Sequence, residues 1–218
     1  MTFAAVTFAF TAVESSFSWL VVLRFKDLIH DNAIKAFEAN GQQLWSSLTV
    51  LKQTALIEKA QTGTVATIFS IVGITILIVQ GSVMMGMAKK FGETRLIKIG
   101  ALILTGTLLG IAFANQLVWM YFFAAMIAVG TGILNPSLSS LITKSAGPQE
   151  RGTISGAQQG LGSLSRIVAP PINNYLISIY SFVPFLFSSV LMFGAFLMSL
   201  KIRQSEAVDG PTEAAPVH

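Results

Sequence analysis

The stretch that decides the fold is residues 130–175, GTGILNPSLSSLITKSAGPQERGTISGAQQGLGSLSRIVAPPINNY. It contains the end of one apolar segment, a short charged connection from Lys144 to Arg151, and a second segment rich in glycine and serine. Arg166 lies in this second segment, where an arginine needs either a partner or a water-filled cavity. The repeated small residues are typical of a helix that packs closely on protein rather than on lipid. The stretch therefore predicts a polar membrane helix around which the rest of the chain is arranged.

The composition favours an integral membrane protein. Of the 218 residues, 53% are hydrophobic and 11% are charged, and the mean hydropathy is +0.68. Soluble domains carry about 25% charged residues, so a soluble fold of this size would have too few polar groups for its surface. Cysteine is absent, which excludes disulfides, thiol catalysis and cysteine-based zinc sites. The net charge of +4 does not indicate nucleic-acid binding, because membrane topology itself requires basic residues in short loops.

Six segments are long and apolar enough to cross a bilayer, which takes roughly 20 residues. They are residues 3–24, 64–87, 96–114, 117–143, 153–178 and 182–200. We therefore predict an all-α membrane protein whose six-helix transmembrane domain covers residues 1–203. The polar tail, residues 204–218, is predicted to be a disordered cytoplasmic segment.

Residues 25–63 separate the first two predicted spans and are polar, with mixed charge. The apolar residues that recur there at roughly helical spacing are Ile34, Phe37, Leu44, Leu48 and Leu51. This spacing predicts one or two amphipathic surface helices within an extracytoplasmic loop. His30 lies near Asp27 and Asp31, but one histidine and two aspartates in a loop make only a weak case for a metal ion. We predict no metal site and no cofactor.

Glu14 lies at the centre of the first span and is the only acidic residue in any of the six. Because a carboxylate is costly at the centre of a bilayer, Glu14 should face protein or water. Two interpretations remain: a protonated carboxyl bonded to a neighbouring helix, or a group that carries protons or contacts substrate. By helical rise, Glu14 and Arg166 lie roughly 16 Å and roughly 20 Å from the same membrane side. They are therefore expected to meet near the midplane, as an ion pair, if their helices are neighbours.

The fifth span is too polar to face lipid, so it is predicted to line a cavity or a helix interface. For Asn135, which precedes Pro136, an interhelical hydrogen bond is the alternative. The predicted proton-coupling or substrate-cavity residues are Glu14, Gln80, Asn135, Gln158, Gln159, Arg166 and Asn173.

Basic residues gather in the two short connections at residues 88–98 and 144–152. Short loops rich in lysine and arginine face the cytoplasm, so both termini are predicted to be cytoplasmic. These connections either serve as the topology signal alone, or their cations also bond carbonyls at helix ends and so stabilise one conformation. The predicted cytoplasmic gate consists of Lys89, Lys90, Gly92, Arg95, Glu150 and Arg151.

Three stretches together resemble the C-terminal half of a major facilitator superfamily transporter, of the drug:proton antiporter branch that includes tetracycline efflux pumps. They are FAFTAVESSFSWLVVLRF (8–25), VQGSVMMGMAKKFGETRLIKIG (79–100) and residues 130–176. The chain departs from the family pattern at Met85, Ala169 and Asn173-Asn174, and in the long loop after the first span.

The resemblance implies two inverted three-helix repeats, with the first, second, fourth and fifth spans around a central cavity. It further implies proton-coupled efflux of a small molecule by alternating access, together with a second six-helix half, in the plasma (inner) membrane. The alternative is a non-transporting membrane protein or a degenerate half-transporter. An enzyme is not predicted, because the sequence lacks a nucleophile–base pair, an HExxH-type motif and a phosphate loop.

Overall fold

The computed structural model describes residues 2–39, 45, 48–83, 86, 90–147 and 149–201, and the predicted disordered tail lies outside them. The described part is all-α. Its helices are α1 (Thr2–Arg24), α2 (Lys26–Ala39), α3 (Val50–Ile78), α4 (Glu93–Phe113), α5 (Leu117–Lys144), α6 (Arg151–Ile179) and α7 (Val183–Leu200). A π-helical turn, Val79–Val83, continues α3.

Four stretches of the described residues are long and apolar enough to cross a membrane. They are Val50–Gly81, Glu93–Phe113, Leu117–Lys144 and Val183–Leu200. The other two predicted spans form α1 and α6, which have 23 and 29 residues and are long enough to cross. Helix α6 is the more polar of the two, because it carries Arg166 together with glutamines and several serines.

The second span begins earlier than the sequence pattern predicted. Helix α3 starts at Val50, so residues 50–63, which were assigned to the extracytoplasmic loop, belong to a continuous helix. Neither proline nor glycine occurs in residues 50–62, so the backbone hydrogen bonds of a helix continue without a break. Among the described residues of the predicted loop that precede α3, the amphipathic helix is α2, and its Ile29 is buried.

Helices α4 and α5 approach each other closely at two glycines. A Cβ added at Gly130 would lie 2.7 Å from Leu104 Cγ, and one added at Gly100 would lie 3.0 Å from Leu134 Cβ. Small residues of this kind let two helix backbones pack at short range. The α4–α5 pair therefore forms the tightest-fitting part of the core, and Leu104 and Leu134 are both buried there.

The remaining packing distinguishes a helix with two main neighbours from helices that have one. Helix α7 packs on both α1 and α4, whereas α6 packs mainly on α1 and α3 packs mainly on α5. Helix α6 buries only a narrow stripe, which contains Ser165, Ala169 and Asn173 at four-residue spacing. Much of the surface of α3 and α6 is therefore exposed in the single chain.

Candidate functional site

Five of the predicted cavity residues are exposed on four helices that contact one another. Helix α1 contacts α3, α5 and α6, and α5 contacts α3 and α6. We call their exposed polar surface the open face, and it consists of Glu14, Gln80, Asn135, Gln159 and Arg166. The structure thus exposes polar groups from α1, α5, α6 and the π-helical end of α3.

Glu14 and Arg166 lie on neighbouring helices, as expected, but they do not form the predicted ion pair. Both side chains are exposed, and neither takes part in an ion pair among the described residues. The α1–α6 contact includes Gly162, where an added Cβ would lie 3.8 Å from Thr7 Cγ2. The contact between the two helices therefore does not bring the two charged groups together.

Asn135 is distinctive on α5 because it is the only exposed residue between positions 123 and 143, all of which are described. The adjacent Leu134 is buried, and so is Ser137, whose hydroxyl donates to the Ile133 carbonyl at 2.7 Å. An amide at the one exposed position of this stretch has donors and acceptors available to a solute.

Two predicted cavity residues occupy helix contacts instead of the open face. Gln158 is half-buried, and its Nε2 donates to Ser139 Oγ at 2.6 Å, so it links α6 to α5. Asn173 is 1% exposed and belongs to the buried stripe of α6. The Gln158 amide therefore stabilises the contact between α5 and α6 beside the open face.

The ionic contact that the structure shows at the charged connections was missed by sequence reasoning. Lys144 Nζ donates to Glu93 Oε1 at 2.8 Å, and the Ser140 hydroxyl donates to the same oxygen. Because Glu93 begins α4 and Lys144 ends α5, each charge also complements its own helix dipole. The signal available in the sequence was an acidic residue near the start of one predicted span and a basic residue at the end of the next. We call this end of the bundle the charged end.

The predicted gate residues have other surroundings. Lys89 lies outside the described residues, and Lys90 Nζ lies 5.7 Å from the centre of the Phe91 ring. The other three charged gate residues, Arg95, Glu150 and Arg151, are exposed and take part in none of the described ion pairs.

Among the described residues of the predicted gate, Gly92 is the one whose backbone conformation requires glycine. It precedes α4 with φ 75° and ψ 155°, a conformation that is essentially restricted to glycine. No other described residue has a positive φ. Gly92 therefore sets the direction in which the chain enters α4 and places Glu93 next to α5.

Arg24 is a second residue that sequence reasoning missed. Its guanidinium donates to the carbonyls of Ile111, Ala112 and Ala114 at 2.9–3.2 Å. The last carbonyls of a helix have no partner within that helix, and a cation there also complements the helix dipole. Arg24 thus joins the end of α1 to the end of α4.

His30 forms no metal-binding cluster in the described part of the chain. Its Nδ1 lies 3.9 Å from Asp31 Oδ1, and its ring packs edge-on against Trp45, with 6.1 Å between ring centres. In this structure the histidine is therefore part of the contact of α2 with the residues that precede α3.

Comparison with known sequences gives the family. A profile of the Major Facilitator Superfamily matches residues 35–216, which include all four candidate spans. The chain belongs to the major facilitator superfamily. No curated protein sequence matches it. As members of this superfamily are membrane transporters and not enzymes, the family and the apolar helices together assign the chain to membrane transport.

Proposed function

We propose that this chain is one six-helix half of a secondary active transporter that exports a small molecule in exchange for protons. The observation that carries the proposal is the open face, where Glu14, the only acid in the predicted spans, is exposed, as are amides and one arginine on helices that contact one another. Resemblance to the drug:proton antiporters that include tetracycline efflux pumps supports protons as the coupling ion and export as the direction of transport.

The helix contacts support two inverted repeats, α1–α3–α4 and α5–α6–α7. If α1 is exchanged with α5, α3 with α6 and α4 with α7, the α1–α6 contact becomes the α5–α3 contact. The same exchange converts α4–α5 into α7–α1 and leaves α4–α7 unchanged, and all of these contacts occur. Repeats related by a two-fold axis in the membrane plane produce this pattern, and transporters built from them bind substrate near the midplane.

The uncovered helices support the requirement for a second half. Within its most apolar window, α3 is 11% buried, whereas α4 and α5 are 56% and 50% buried. Helix α6 is too polar on its exposed side to face hydrocarbon, because exposed hydroxyl, amide and guanidinium groups need partners there. A second six-helix half, either an N-terminal half or another copy, would cover α6 and enclose the open face.

Glu14 is the proposed proton carrier. An exposed carboxylate can exchange protons with water, and the gain of a proton removes the charge that makes its burial costly. Substrate binding and proton release would then alternate at one cavity while the two halves rock against each other. The charged end would face the cytoplasmic side of the plasma membrane, since Lys144 and the other basic residues there lie in short connections.

The test is proton movement driven by candidate substrates in inverted membrane vesicles that contain the chain. We expect cationic and tetracycline-like drugs to release protons from energised vesicles with the wild-type chain and not with Glu14→Gln. Glu58→Gln is the matched control, because Glu58 is an exposed acid on α3 that does not belong to the open face. If the wild-type chain gives no proton signal with any substrate, a non-transporting membrane protein becomes the better interpretation.

A further inference from the structure

Helices α4 and α7 pack on each other, and both also expose apolar side chains. These are Ile99, Leu102, Leu109 and Phe113 on α4, and Phe187, Val190, Phe193, Leu197, Met198 and Leu200 on α7. We call this surface the α4–α7 groove. It lies on the two helices that contribute nothing to the open face, so it has no part in the proposed substrate cavity.

One end of the groove coincides with the charged end. The Glu93–Lys144 contact places the start of α4 beside the end of α5, and the short turns between α4 and α5 and between α6 and α7 reverse the chain. Ser189 Oγ donates to the Thr105 carbonyl at 3.2 Å. Thr105 lies 12 residues after Glu93 and Ser189 lies 12 residues before Lys201, so Glu93 and Lys201 lie at similar heights.

Three cations surround this end of the groove. Arg95 is exposed and begins the outward stripe of α4, four residues before Ile99. Lys98 lies two helical turns before Thr105 and therefore on the flank of α4 that faces α7. Lys201 is exposed at the end of α7. The nearby acid, Glu93, is already bonded to Lys144 and Ser140 on the α5 side.

We propose that the α4–α7 groove binds an anionic phospholipid, with its phosphate at Arg95, Lys98 and Lys201 and its acyl chains along the apolar stripes. Basic side chains between membrane helices attract anionic headgroups, and each contributes about fivefold to the affinity. The groove supplies both requirements of such a lipid, a cationic end and an apolar length. The proposal does not rest on the proposed substrate cavity, since none of its residues belongs to the open face.

The experiment is native mass spectrometry of the purified full chain in detergent, titrated with phosphatidylglycerol or phosphatidylcholine. We expect the wild-type chain to retain phosphatidylglycerol more strongly. The triple variant Arg95→Gln, Lys98→Gln, Lys201→Gln should lose that preference by about fivefold for each cation removed. The charge-preserving variant Arg95→Lys, Lys98→Arg, Lys201→Arg should keep it, which excludes misfolding as the cause.

A matched control removes the same net charge elsewhere. Lys35, Lys52 and Lys59 are exposed on α2 and α3, so Lys35→Gln, Lys52→Gln, Lys59→Gln should retain phosphatidylglycerol as the wild type does. Equal loss in this control, or no preference in the wild type, would overturn the proposal. Displacement of the lipid by millimolar inorganic phosphate would also overturn it, because the site would then be one for small anions.

Discussion

Lys144 Nζ lies 2.8 Å from Glu93 Oε1, which joins the last turn of α5 to the first turn of α4. The contact is asymmetric, because the Glu93 side chain is 15% exposed and that of Lys144 is 70% exposed. Arg24 bonds the other end of α4 to α1. Polar contacts therefore hold both ends of α4, the helix with the most buried apolar window.

The Glu93–Lys144 contact should contribute modestly to stability. We expect Glu93→Gln to lower the free energy of unfolding by about 1 kcal/mol, because one partner is solvent-exposed and the amide can still accept from Ser140. Thermal unfolding in detergent at low and high salt measures this, and the difference should shrink as salt rises. Glu150→Gln is the control, since Glu150 is exposed and outside the described ion pairs. A salt-independent loss would mean that the ion pair is not the cause.

Arg24→Gln should destabilise the chain more than Glu93→Gln does. The substitution removes charged donors from three carbonyls at the end of α4, and hydrogen bonds to charged groups contribute about 1.5–3 kcal/mol each. We expect a lower unfolding temperature in detergent, and partial recovery in Arg24→Lys, because lysine also bonds terminal carbonyls. Lys26→Gln, at an exposed position, should leave the unfolding temperature unchanged. Equal unfolding temperatures for Arg24→Gln and wild type would refute the role.

Gly92→Ala tests the turn into α4. A side chain at φ 75° and ψ 155° costs about 1–3 kcal/mol, so we expect a lower unfolding temperature. Gly106→Ala is the matched control, because Gly106 lies within α4 with no atom near an added Cβ. Alanine is a better helix former than glycine by about 1 kcal/mol, so the control should be neutral or stabilising. The same change in both variants would mean that backbone strain at Gly92 is not the cause.

Arg166→Ala should leave expression and thermal stability unchanged, because Arg166 is exposed and removing it strands no ion-pair partner among the described residues. Its effect should instead appear as weaker substrate binding in a transport assay, since it belongs to the open face. Fluorescence-detected size exclusion of the variant measures the first expectation. A large loss of monodisperse protein would show that Arg166 has a buried partner in the assembled transporter.

The sequence by itself determined the class of the protein and most helix bounds. Hydropathy, the scarcity of charge and the short basic connections predicted membrane helices, and five of the six predicted segments agree with α1, α4, α5, α6 and α7 within three residues at either end. These features are local: an apolar run of sufficient length forms a helix in a membrane whatever its neighbours are.

Only the tertiary structure decided which polar groups meet. Arg24 bonds the end of α4, Glu93 bonds Lys144, and Glu14 and Arg166 are exposed without pairing. Such contacts depend on the rotation of each helix about its axis and on which helices are neighbours. Both are set by close packing between distant residues, as at Gly130 and Leu104, and depth along a helix does not reveal them.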